Sequence, residues 1–175
     1  MIAHFAGSQI LTTDQKTLLT GWKPAIGTWT QCFVSTAWKS GIGQDLLNDC
    51  FNDGYNGAWY SVALDSSGKI VGAYLSKPVT ALNGWVDDRD NAFIFNLDTP
   101  SGMRCYSNPN GIAPGISVAV RVDGIWWCSF DITILNSNGI VYVVPGYTYD
   151  TGCVGTTEGL AFSPYRLEVY RLVTA

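Results

Sequence analysis

The sequence predicts a mainly β, α+β domain: a two-layer antiparallel β-sandwich with two short helices from the N-terminal half packed on it. Three observations carry this. Short runs of Trp, Tyr, Val, Ile and Leu alternate with turn signals from residue 59 onward, and these residue types suit a pleated, half-buried surface. Two earlier stretches repeat their apolar residues at helical spacing instead. The chain is rich in aromatics and glycine but only 14% charged, against about 25% in an average globular protein.

The first helical stretch is residues 8–22, SQILTTDQKTLLTGW. Thr12 and Gln15 fit a capping box, and Leu11, Leu18, Leu19 and Trp22 share one face. Gly21 weakens the last turn and Pro24 closes the segment. Residues 25–31 read as a loop and 32–38, CFVSTAW, as a short strand. The second helix is expected over 41–51, with Ile42, Leu46, Leu47 and Cys50 on one face and Asp45 and Asp49 opposite.

The centre of the pattern is residues 56–78. Two apolar runs, AWYSVAL and KIVGAYL, flank Asp65-Ser66-Ser67-Gly68 and read as a β-hairpin. Residues 79–91 read as a loop. A strand over 92–97 places Phe93 and Phe95 on one side and Ala92 and Ile94 on the other. Short strands follow at 103–107, 116–122, 125–130, 131–135 and 140–144, with Asp123-Gly124 and Asn136-Ser137-Asn138-Gly139 as turns. Residues 145–164 look irregular. The last strand, 165–172, sets Leu167, Val169 and Arg171 against Arg166, Glu168, Tyr170 and Leu172. Nine or ten short strands with regular turns imply antiparallel pairing in a sandwich or barrel-like stack. No repeat or composition shift divides the chain, so residues 1–175 form one expected domain.

Composition and motifs exclude several functions. A net charge of −4 with scattered Lys and Arg argues against nucleic acid or an anionic membrane surface as partner. No window reaches the length of apolar residues that spans a membrane. No basic, apolar leader is visible at the start. The five cysteines (Cys32, Cys50, Cys105, Cys128, Cys153) share no metal spacing. These features favour buried thiols in a reducing, cytoplasmic setting, with export as the alternative.

Candidate chemistry is sparse. His4 is the single histidine, and so near the terminus it is expected to be mobile and inert. Walker, G-x-S-x-G and Cys-x-x-Cys motifs are missing. Asp87, Asp88 and Asp90 cluster, but without alternate ligand spacing and with Arg89 among them; a solvated loop is expected rather than a calcium site. Cys50 and Cys153 are weak redox candidates, since Asp49 and Asp150 raise rather than lower a thiol pKa. No catalytic residue, metal or cofactor is therefore expected. Trp85 and Trp126 stand out as binding aromatics, because neighbouring strand residues face opposite ways and an exposed Trp is a binding hint.

Taken in order, WKSGIGQDLLNDCF, NGAWYSVALDSSGKIVGAYLS, NAFIFNL and a closing LEVY resemble the TLDc domain. Gly68, Gly72, Ala73 and Ser76, with Tyr74, fit its hairpin return. Phe93 and Phe95, with Leu97, fit its next strand. Leu167, Glu168 and Val169 fit its ending, with Tyr170 where the family has Trp. Lys39-Ser40-Gly41-Ile42-Gly43 and Gly57-Ala58-Trp59 depart from the family pattern, marking a divergent member. The resemblance implies a two-sheet antiparallel core flanked by helices, and no set of catalytic residues to carry over. It also implies a link to oxidative-stress protection or to the proton-pumping vacuolar ATPase. Glu168 would be a partly buried carboxylate needing a hydrogen-bond or Arg partner, with Arg166 and Arg171 near in sequence.

The expected function is thus a non-enzymatic interaction module whose partner is another protein or further copies of itself. The alternative is a secreted or surface β protein that binds glycans or packs as a subunit of a larger assembly.

Overall fold

A computed structural model describes residues 3–36, 40–64, 68–97, 102–106, 118–121, 124–127, 132–134, 141–143 and 166–174. Two helices, α1 (Thr13–Trp22) and α2 (Ile42–Cys50), precede most of the strands. The strands are β1 (Thr28–Ser35), β2 (Trp59–Leu64), β3 (Ile70–Leu75), β4 (Trp85–Val86), β5 (Phe93–Asn96) and β6 (Met103–Tyr106). They continue with β7 (Val118–Arg121), β8 (Gly124–Trp127), β9 (Ile132–Ile134), β10 (Val141–Val143) and β11 (Arg166–Val173). A six-stranded sheet runs β1-β11-β2-β3-β5-β6 and a five-stranded sheet β10-β9-β8-β7-β4. Every described ladder is antiparallel, as the fold class required.

The six-stranded sheet is covered on both faces. Its inner face (Ala63, Val71, Ala73, Ile94, Leu167, Val169) joins α2 and Val120 and Ile125 of the five-stranded sheet in one core. Its outer face (Tyr60, Val62, Tyr74, Phe93, Phe95, Tyr170) packs under Leu19 of α1 and the N-terminal Phe5, Ile10 and Leu11. Strands buried on both sides read as continuous apolar runs, which is why WYSVAL and IVGAYL carry so few polar residues. The alternation expected in β5 and β11 holds: Phe93 and Phe95 belong to the outer core, Ile94, Leu167 and Val169 to the inner one.

Helix α1 starts at Thr13, later than the apolar spacing suggested. The capping box forms, with Gln15 N donating to Thr12 Oγ1 and Thr12 N to Gln15 Oε1. Residues 8–11 are held otherwise: Ser8 Oγ accepts from the backbone of Ile10 and Leu11, a local turn that competes with helix.

Residues 28–31, expected as loop, form the first half of β1. The register shifts between Gln31 and Phe33, so Cys32 is a bulge. An extra residue reverses the face of everything beyond it. Trp29 accordingly lies in the outer core and Phe33, four residues on, in the inner one. That reversal hid the strand from a period-two reading. The loop expected over 79–91 likewise contains β4, which pairs with β7 and is extended by Asn83 N donating to Val120 O. The described strands number eleven, more than the nine or ten expected. The segment 145–164 and the turns at 65–67, 123 and 136–139 lie outside the described residues.

Two further expectations are corrected. His4 is half-buried and its Nδ1 accepts from Trp29 N at 3.4 Å. Next to it, Phe5 is fully buried and Phe5 N donates to Trp29 O, which anchors the segment. The cysteines are not all thiols: Cys32 and Cys50 form a disulfide that ties the β1 bulge to the end of α2. Cys128 and Cys153 lie outside the described residues, as does the side chain of Cys105.

Candidate interaction face

The outer face of the five-stranded sheet is built from strand periodicity alone. Val120 of β7 and Ile125 of β8 are fully buried toward the six-stranded sheet, and Val86 of β4 packs against the same core. Trp85, the chain neighbour of Val86, therefore belongs to the opposite face. Trp85 is 38% exposed. The register joins these positions in one cross-strand row: Trp85 opposite Ala119, Ala119 opposite Trp126, Trp126 opposite Thr133, and Thr133 opposite Tyr142. Neighbouring strands lie about 4.8 Å apart, so the aromatic positions 85, 126 and 142 recur every ~10 Å with small residues between them. Large flat rings give much contact area at little conformational cost, which suits recognition. Positions 85 and 126, the candidate binding aromatics expected from sequence, fall in this one register row. Tyr142 was not anticipated, because only the register of β9 and β10 places it there.

Two carboxylates buried among the described residues, Glu168 and Asp88, are hydrogen-bonded within the fold. Glu168 is 0% exposed on β11, which lies between the edge strand β1 and β2 in the six-stranded sheet. Its Oε2 accepts from Ser8 Oγ at 2.6 Å and from Tyr170 OH; its Oε1 accepts from Gln9 N at 2.9 Å and Arg166 Nε at 2.7 Å. Burial pushes this carboxyl upward, but the Ser8, Tyr170, Arg166 and Gln9 donors together outweigh it and hold the group below its ordinary value. Burial, then the bond to Glu168, pushes the Tyr170 phenol up. Gln31 Nε2 donates to the same phenol oxygen. Of the two arginines expected as partners, Arg166 fills the role. Arg171 turns to the other side of the strand, where it pairs with Asp53 at 2.7 Å and donates to Cys50 O.

Asp88 is the second buried carboxylate, 2% exposed, where a solvated loop was expected. It accepts from Ser76 N and Ser76 Oγ at 2.5 and 2.7 Å. Only its neighbours match the solvated reading: Asp87 forms an exposed pair with Arg89, whose guanidinium holds the Asp87 carboxyl below its usual range.

The remaining motif residues take structural positions. Gly68 sits at φ +88° ahead of β3. A Cβ on Gly72 would lie 2.3 Å from Ser61 O and 2.4 Å from Phe95 Cζ, so Gly72 admits the Phe95 ring and a close strand approach. Ala73, Leu167 and Val169 fill the inner core, and Phe93 and Phe95 the outer. Ser76 is the Asp88 clasp. The partners that sequence reasoning missed are Ser8, Gln9 and Gln31, more than a hundred residues from Glu168 and Tyr170 along the chain.

No family model matches the chain, and no curated protein matches it.

Proposed function

We propose that this chain is a non-catalytic interaction module of the TLDc type, working through the outer face of its five-stranded sheet. The observation that carries this is the exposed Trp85 on the face turned away from the core, with position 126 in the same register row. A second support is the arrangement of the segments that resemble the family. The hairpin β2–β3, the β5 strand and the closing LEVY strand are consecutive neighbours, β11-β2-β3-β5. In this reading the protein acts in the cytoplasm on another protein or on copies of itself. The resemblance directs the search to the vacuolar ATPase and to oxidative-stress protection. The test is capture from native lysate with the wild-type chain and with Trp85→Ser, identified by mass spectrometry. A protein partner held by the wild type and lost in the variant is the expected result. Recovery of equal partners by both chains would remove the face from the account.

One observation favours a second reading, the exported β protein that binds glycans. The Cys32–Cys50 disulfide suits an oxidising compartment. Capture of carbohydrate in place of protein, from extracellular material, would put this reading first.

A further inference from the structure

A groove of 670 Å³ lies between α1 and the N-terminal segment, on the opposite side of the six-stranded sheet from the face discussed above. Its size falls within the range of about 300–1,000 Å³ typical of small-ligand sites. Its walls are apolar for a definite reason. Thr17 and Thr20 line it, but their hydroxyls donate to Thr13 O and Lys16 O in their own helix, which leaves mainly their methyl groups for a ligand. Pro24 and Gly21 extend that apolar wall.

Two nitrogen donors break the apolar lining, Lys16 and His4. His4 Nδ1 accepts from Trp29 N, so the imidazole hydrogen is on Nε2, which is then a donor. None of the described lining residues is acidic, in a chain whose net charge is −4. The groove therefore offers one lysine cation, one imidazole donor and the Thr13 hydroxyl beside an apolar wall.

Gly21 lies exposed in the groove's lining. Glycine weakens a helix relative to alanine, and its use demands a reason. Gly21 is not among the glycines at positive φ, and a Cβ built on it meets nothing within 4 Å. Neither backbone conformation nor packing requires glycine there. A side chain at this position would stand at the groove's wall.

We propose that this groove binds a monocarboxylate with a short alkyl tail, its carboxylate at Lys16 and His4 and its tail along the Thr17, Thr20, Gly21 and Pro24 wall. A single carboxylate matches one lysine charge and one neutral-type donor, and an alkyl chain matches methyl-lined walls. The site is independent of the aromatic row on the five-stranded sheet.

The test is calorimetric titration of the full chain with decanoate, with decanol as the uncharged control. Decanoate is expected to bind one to one, and decanol at least tenfold more weakly. Lys16→Glu is expected to weaken decanoate at least tenfold, while Lys16→Arg stays within about threefold of wild type. Gly21→Leu is expected to abolish binding while raising or preserving the melting temperature, since Leu is the better helix former; that separates a blocked groove from a damaged fold. Failure of wild type to bind decanoate at millimolar concentration overturns the proposal. So does equal binding by Gly21→Leu, or decanol binding as tightly as decanoate.

Discussion

Replacing Glu168 probes the junction that joins the N-terminal segment to the closing strand. In Glu168→Ala, the donors from Ser8, Gln9, Arg166 and Tyr170 lose their acceptor together. Removing one partner of a buried ion pair costs about 3–5 kcal/mol. In a chain of this size, each kcal/mol moves the melting temperature by roughly 2–4 °C, so a fall of about 10 °C is expected. Glu168→Gln is milder. Its carbonyl oxygen can face Gln9 N and Arg166 Nε, and its amide can face the Tyr170 hydroxyl, which can rotate to accept; Ser8 Oγ already accepts from Ile10 N and Leu11 N, so its own proton loses its acceptor. The loss is the charge-assisted part, about 2 kcal/mol. The acid limb gives a second readout. The folded carboxyl lies below its ordinary value, so the unfolded chain binds this proton more readily. The stability it contributes is complete above the ordinary glutamate range and is lost as pH falls through the folded value. Urea melts of wild type and Glu168→Gln from pH 7 to pH 3 should therefore converge as pH drops. Equal stability at pH 7, or parallel acid limbs, would refute the assignment of Glu168 as the charged centre of this junction.

Gly72→Ala should lose about 2 kcal/mol or more in a denaturant melt, because its Cβ collides with Ser61 O and the Phe95 ring. Gly68→Ala meets open space and carries only the strain of φ +88°, about 1 kcal/mol. Reduction, or Cys32→Ser with Cys50→Ser, should cost about 3 kcal/mol by releasing a loop of sequence separation 18; peptide mapping without reductant should recover the linked pair. Ser61→Ala should gain stability of about 1 kcal/mol, since the Ser61 hydroxyl is buried without a partner among the described residues.

The parts of the fold legible in the sequence are those decided by neighbours along the chain. The Thr12–Gln15 cap, the α2 face and the alternation of β5 and β11 are local, and each forms where the pattern put it. The parts that were not legible depend on pairing between distant segments. One bulge at Cys32 defeated the period-two signal of β1 and also turned that cysteine toward Cys50. A two-residue strand such as β4 has no periodicity to detect and exists through β7. Asp88 lay in a run of charges that reads as solvated, and its burial follows from the Ser76 clasp. For the candidate interaction face, Trp85 and Trp126 could be named from their residue type. Their common row with Tyr142 needed the register of four ladders.

The closure of the six-stranded sheet rests on the C-terminal strand lying inside it, between β1 and β2, with Glu168 buried on that strand. Amide hydrogen exchange across residues 166–173 measures this directly. The backbone amides of Leu167, Val169 and Tyr170 should rank with those of Val62 and Ala73 among the slowest in the molecule, because these strands open only with the whole domain. Complete exchange of residues 166–173 within minutes, while β2 and β3 remain protected, would contradict it.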